Sequence, residues 1–314
     1  MRAFTIAVPD AELDDLRRRL DHVRWPAEAP GDPWSFGIPV AEVRAAVAHW
    51  RDTYDWRSRE AAMNRWPQFI TEADGERVHL IHARSPHEQA TPLLLTHGWP
   101  GSFVEFLDVI GPLTDPTAHG GRPEDAFHVV VPSMPGYGFS GPTRTAGLDV
   151  TRVGDALADV MTQLGYERFI AQGGDWGALV TRHLAEEHAH RLIGAHFNML
   201  FSFPAADDPD PMNGVTEAEM TRFGAAAQRI AGGTGYMAIQ STRPQTLAFG
   251  LTDSPVGLAA WILEKFHAWS DLDEGGIAAT FGWDRLLDNV MAYWLTDTAG
   301  SAARLYAESA RAAT

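Results

Sequence analysis

Apolar residues along this chain fall into two kinds of run that take turns. Short, continuous runs occur at Val78 to Ala83, Leu93 to Thr96, Val129 to Val131, Phe169 to Gln172 and Leu192 to Met199, and each predicts a buried strand. Between them the apolar positions recur at helical spacing. Val153, Ala156, Leu157, Val160, Met161 and Leu164 mark one face of a helix that Gly165 is placed to end. Ala178 to His188 reads as another helix, directly after the fourth strand. Strands alternating with helices from about Glu76 to Leu200 predict a largely parallel sheet covered by helices.

The flanking regions read differently. Met1 to about Phe69 is rich in tryptophan and proline, with two amphipathic helices expected. Asp10 is placed to cap the first, which carries Leu13, Leu16 and Leu20 on one face; Val40, Val43, Val47 and Trp50 mark the second. Trp25, Trp34, Trp56 and Trp66 are most simply packing anchors. Phe201 to Asp253 is expected to be loop-rich, with Pro204, Pro209 and Pro211 and some helical stretches. Helices are then expected over Val256 to Trp269, over Asp284 to Leu295 and from about Ser301. The divisions are therefore 1–75, 76–200 and 201–314, with no repeat or low-complexity tract.

Composition narrows the classes. A chain of 314 residues with 45% apolar content can hold one large α/β domain with insertions. It contains no cysteine, which removes disulfides and thiolate metal sites. A net charge of −16 argues against nucleic acid or an anionic membrane as partner. No run of about twenty apolar residues and no signal-peptide start are present, so a soluble, cytoplasmic protein is expected. Lys265 is the sole lysine, from which no function is drawn.

The sharpest chemistry lies in Gly173, Gly174, Asp175, Trp176, Gly177 and Ala178, between a strand and a helix. Small residues around Asp175 permit the strained strand-to-helix elbow that presents a nucleophile at the end of a sheet. An aspartate, with an ordinary pKa of about 3.9, is ionised without a base and would form an alkyl ester on attack. On this stretch alone, a glycine-rich turn whose aspartate caps the next helix is the stronger alternative. Two further strand ends carry turns, His97 to Ser102 ("HGWPGS") and Pro132 to Ser140.

With these motifs together, the chain resembles an epoxide hydrolase of the microsomal type in the α/β-hydrolase superfamily. "HGWPGS" is similar to that family's oxyanion turn, "GGDWGA" to its nucleophile elbow, and "GYMAIQSTRPQTLAFGLTDSPVGLAAWILEKF" to its lid, over a likeness running from about Phe4 to Tyr306. The resemblance implies an α/β-hydrolase core, an N-terminal helical meander and an inserted helical lid. It implies conversion of an epoxide and water to a vicinal diol, with Asp175 as nucleophile. Tyr236 and Tyr306 would be the lid tyrosines that donate a proton to the epoxide oxygen. Backbone N–H groups of Trp99 and Trp176 would form the oxyanion hole, and His97 is expected to be structural. A small apolar epoxide is the implied substrate, xenobiotic detoxification the implied role, and no cofactor is implied. A homo-oligomer is compatible with this reading.

The family's acid and histidine follow its second lid tyrosine, and they are not found in this chain, which stops at Thr314. The strand after the elbow offers neutral Asn198 where some relatives of the fold carry the acid. His183, His188, His190 and His196 read as surface or core histidines, and His267 is a remote candidate base. The resemblance therefore implies a C-terminally truncated chain without the last two core strands, an exposed edge at Leu192 to Met199, and slowed ester hydrolysis. Two other readings stand beside it: a haloalkane dehalogenase, and a non-catalytic remnant that traps or binds epoxides. A serine esterase is disfavoured because the elbow has no serine. No phosphate loop or metal-ligand cluster is seen; His79 and His82 do not converge on a cage.

Overall fold

The computed structural model describes residues 1–200 and 207–312; Phe201 and Pro204, at the expected start of the lid, lie outside the described residues. The chain opens with strand β1 (Arg2–Phe4), then helices α1 (Asp10–Asp21), α2 (Val40–Asp52) and α3 (Trp56–Met63). Strands β2 (Gln68–Ala73), β3 (Glu76–Ala83) and β4 (Thr91–Thr96) lead to α4 (Leu107–Thr114) and β5 (Phe127–Pro132). Next come α5 (Val150–Gln163), β6 (Phe169–Gly173), α6 (Trp176–Glu187) and β7 (Leu192–Phe197). Helices follow from there on: α7 (Glu217–Ala231), α8 (Gly235–Thr242), α9 (Pro244–Asp253), α10 (Pro255–Ala268), α11 (Gly276–Phe281), α12 (Trp283–Trp294) and α13 (Ala299–Ala312).

The strands form one sheet in the order β1-β2-β3-β5-β4-β6-β7. Its pairings are parallel at β5–β4, β4–β6 and β6–β7 and antiparallel at β1–β2, β2–β3 and β3–β5, so the expected largely parallel sheet is mixed. Two causes combine: β3 runs antiparallel to β5, and β1 and β2 come from the region expected to be helical. In β2, Gln68 and Thr71 are buried although polar, and that conceals the strand. Gln68 satisfies itself by donating to the Met63 carbonyl (3.0 Å) and sharing a 2.8 Å hydrogen bond with His79.

The core lies on the central strands. Leu80, Ile81, Leu94, Val129, Val130 and Val131 are fully buried, each contributing about 1.5–3 kcal/mol by leaving water. The apolar face of α5 is buried as its spacing requires. Asp149 accepts from the Arg152 N–H at its start, and Gly165, at φ +83°, follows its end. Asp10 does not cap α1: Pro9 holds that position, Asp10 is the first helical residue, and its carboxylate pairs with Arg57. At the other edge, β7 pairs only with β6 among the described residues, leaving Ile193 exposed.

The N-terminal helices hold the later ones. Asp288 on α12 is 1% exposed and binds the Arg59 guanidinium from α3 and the Tyr54 hydroxyl (2.8 Å). His49 on α2 reaches Asp284 at 2.7 Å. Among the described residues no single helix is long and apolar enough to cross a membrane.

Candidate active site

Strand β6 stops at Gly173 and α6 starts at Trp176, so the turn between them is very short. Asp175 takes φ 52° and ψ −125°, a conformation that costs a non-glycine residue about 1–3 kcal/mol and lifts its side chain clear of the sheet end. Two glycines make this possible. A Cβ on Gly177 would strike the Thr96 carbonyl, and one on Gly98 would overlap the Asp175 side chain. Glycine at both places lets the ends of β4 and β6 touch.

The carboxylate is held by backbone donors. The Trp99 N–H donates to Asp175 Oδ1 at 2.8 Å, and the Trp176 N–H also bonds the carboxylate. Burial pushes the Asp175 carboxyl up to about 6, against the pull of those two N–H groups. It is therefore ionised at neutral pH. His97 is committed elsewhere: its Nε2 accepts from the Met134 N–H (3.1 Å), so its Nδ1–H donates to the Gly98 carbonyl (3.0 Å). Burial drops its pKa to about 4 and keeps the ring neutral, as a brace inside the turn.

An aromatic wall faces Asp175. Tyr236, on α8, stacks on Trp99 with ring centroids 5.0 Å apart, and Tyr306, on α13, stands edge-on to Trp176 at 4.7 Å. The two tyrosine rings lie 6.0 Å apart and their hydroxyls interact. Burial, and next the charge of Asp175, raise both phenols above their ordinary value, so both remain protonated donors. Trp269 closes the wall 5.3 Å from Tyr236, and the Lys265 ammonium lies 4.7 Å above the Tyr236 ring. All five residues singled out from the sequence, Asp175, Trp99, Trp176, Tyr236 and Tyr306, thus meet in one place.

Sequence reasoning missed what supports this turn. Asn289 Nδ2 donates to the Pro100 carbonyl (2.7 Å) and the Tyr293 hydroxyl to the Gly101 carbonyl (2.6 Å), which straps the turn to α12. The Glu105 carboxylate occupies the space a Cβ on Gly101 would need. No spacing rule points to these residues, because each acts across a long stretch of chain or from an ordinary helical position. Lys265 alone carried a signal, as the sole lysine.

The remaining histidines lie apart. The His267 ring is stacked on Trp34 at 3.5 Å, and His190 and His196 are exposed. His79 sits between Ser133 and Gln68, with burial holding its pKa near 3. Among the described residues, histidines pair with carboxylates at Asp284, Asp115 and Asp155, and none of these pairs includes a residue around Asp175. A cavity of 740 Å³ between α1, α2 and α10 is lined by none of the site residues.

Comparison with known proteins gives a consistent picture. The family model described as "Epoxide hydrolase N terminus" matches residues 1–106, and "alpha/beta hydrolase fold" matches residues 91–227. The chain is 48% identical over 307 residues to a protein of Stigmatella aurantiaca (strain DW4/3-1) named "Putative epoxide hydrolase", covering 98% of this chain and 69% of that one. It is 35% identical to epoxide hydrolase 1 of Sus scrofa, covering 98% and 72%. Among solved structures, the Aspergillus niger epoxide hydrolase superposes with a TM-score of 0.84 at 31% identity, covering 99% of this chain and 79% of that one. The juvenile hormone epoxide hydrolase of the silkworm Bombyx mori gives 0.82 at 32%, covering 98% and 75%.

Proposed function

Since this chain belongs to the epoxide hydrolases of the α/β-hydrolase fold, we propose that it opens a small apolar epoxide through Asp175 and returns a vicinal diol. The observation that carries this reading is the ionised carboxylate of Asp175, bonded at Oδ1 by the Trp99 N–H and faced by two protonated tyrosines.

With Oδ1 engaged, Oδ2 is the attacking atom. Its electron pair forms a bond to one epoxide carbon while the C–O bond to that carbon breaks. The departing oxygen takes a proton from Tyr236 or Tyr306, an assistance typically worth about 10² to 10⁴ in rate. The product is an ester in which Oδ1 is the carbonyl oxygen. Attack of water on that ester puts negative charge on Oδ1, which the Trp99 N–H already bonds, with the Trp176 N–H on the same carboxylate beside it. Collapse releases the diol and restores the carboxylate, and the proton this hydrolysis sets free returns to the tyrosinate. Activation of that water needs a base, and the described residues around Asp175 include no histidine paired with an acid. Ester formation is the half-reaction these residues support. The contribution of α8 and α13 favours reading 201–314 as a lid, and the walls of Trp99, Trp176 and Trp269 favour an apolar substrate.

Neither alternative is favoured. A halide leaves as an anion and needs no proton, which would leave two protonated tyrosines without a task; a binding remnant has no reason to keep the strained aspartate. Purified protein should be given an aryl epoxide and, separately, a chloroalkane. Diol from the epoxide, with no chloride released, is expected; a protein ester without diol would leave the epoxide-trapping remnant. Chloride release without reaction at the epoxide would replace this reading with the dehalogenase, and no reaction with either would leave a binding protein.

A further inference from the structure

Outside the site, α5 and α6 bring three metal-ligand side chains together. His183 lies on α6 and His188 immediately follows that helix, its N–H donating to the Leu184 carbonyl so that its side chain returns toward α5. Both imidazoles donate Nε2–H to the same oxygen, Oδ1 of Asp155 on α5, each at 2.8 Å. All three donor atoms lie within 4.8 Å of one another. We propose that Asp155, His183 and His188 form a surface site for a divalent transition metal of the zinc class, independent of Asp175.

Three features favour a cation over a simple hydrogen-bond clasp. First, a neutral imidazole can carry its proton on Nδ1 and turn the Nε2 lone pair to a metal; two imidazoles and a carboxylate are a common zinc donor set, with a fourth vertex left for water. Second, the donors are already gathered within 4.8 Å of one another. Zinc bonds of about 2.0–2.2 Å in a tetrahedron put ligand atoms roughly 3.3–3.6 Å apart. Inserting the ion asks Asp155 Oδ1 to retreat from each Nε2 by a fraction of an ångström, and this side chain is 56% exposed and able to turn. Third, the least mobile ligand is held by shape. A Cβ on Gly154 would run into the His183 ring, so the glycine opens the space that seats it, and that ring is only 13% exposed. Sequence spacing could not find this group, because Asp155 lies on a different helix from the two histidines. A bound ion would join α5 to the helix that carries Trp176 at its first turn.

The test uses the full chain, first stripped with a chelator, then titrated with Zn(II) against a chromophoric chelator and, in parallel, with Co(II) followed by its visible absorption. The expected result is one equivalent of tight binding, an intense tetrahedral Co(II) band, and a higher melting temperature with Zn(II). His188→Gln and Asp155→Asn keep a hydrogen-bonding side chain but lose a ligand; each should weaken binding at least tenfold and abolish both the band and the thermal shift. His196→Gln should change nothing. Melting temperatures of the variants in chelator establish that they are folded. Absence of one tight equivalent in the folded wild type, or binding that survives both His188→Gln and Asp155→Asn, would overturn the proposal.

Discussion

Replacing Arg59 with methionine tests how the N-terminal region supports the site. The Asp288 side chain is 1% exposed, and its partners are the Arg59 guanidinium, with Nε 2.9 Å from both carboxylate oxygens, and the Tyr54 hydroxyl at 2.8 Å. Arg59→Met preserves much of the volume but leaves that buried carboxylate with the phenol alone. Removing one partner of a buried pair costs about 3–5 kcal/mol, a large part of the roughly 5–15 kcal/mol that holds a domain folded. The cost depends on pH in a defined direction. Burial already raises the Asp288 carboxyl above its ordinary value and Arg59 pulls it down, so the variant's folded pKa lies higher still. A group whose pKa is raised on folding favours the folded state only while protonated. The deficit of Arg59→Met should therefore be small below about pH 4, the unfolded value, and should grow as pH rises through the folded one. Guanidinium unfolding of wild type and variant at pH 4 and pH 7.5 measures it. A deficit under about 1 kcal/mol at pH 7.5, or one that does not change with pH, would refute the reasoning.

Three further outcomes are expected. The rate at which an epoxide modifies the protein should fall as pH drops through about 6, because Asp175 attacks only when ionised; a rate unchanged down to pH 4.5 would point to another nucleophile. Tyr236→Phe and Tyr306→Phe should each slow that step roughly 10- to 100-fold, because the other phenol remains, and the double variant by about 10² to 10⁴, the range of general-acid assistance; stopped-flow tryptophan fluorescence follows it, and unchanged rates in the double variant would remove the tyrosines from the chemistry. Gly98→Ala should abolish modification, since the added methyl overlaps the Asp175 side chain; a crystal structure should show Asp175 displaced, and full activity would contradict the close approach.

Much of the central fold could be read from the residues, because β3 to β7 and α5 and α6 keep their periodicity pure. Val78 to Ala83 and the α5 face need no tertiary information to be recognised. Strand β2 is hidden because Gln68 and Thr71 are polar residues buried against hydrogen-bond partners, the Met63 carbonyl and His79 for Gln68 and the distant Gln163 for Thr71. Strand β1 is three residues long, too short to show a period. The candidate site divides similarly. Asp175 and the turn at Trp99 are local motifs, whereas Asn289 and Tyr293 act on that turn from ordinary positions on α12, and only folding brings them within 2.7 Å of its carbonyls. Asp155, His183 and His188 are the same case on the outer surface.

The nucleophile is tested most directly by trapping. The purified chain should be incubated with an aryl epoxide at pH 7.5, its intact mass recorded, and the modified protein digested and sequenced by tandem mass spectrometry. A single added epoxide mass on the peptide bearing Asp175, absent in Asp175→Asn, is the predicted result. The same adduct on another residue, or undiminished modification of a folded Asp175→Asn variant, would contradict it.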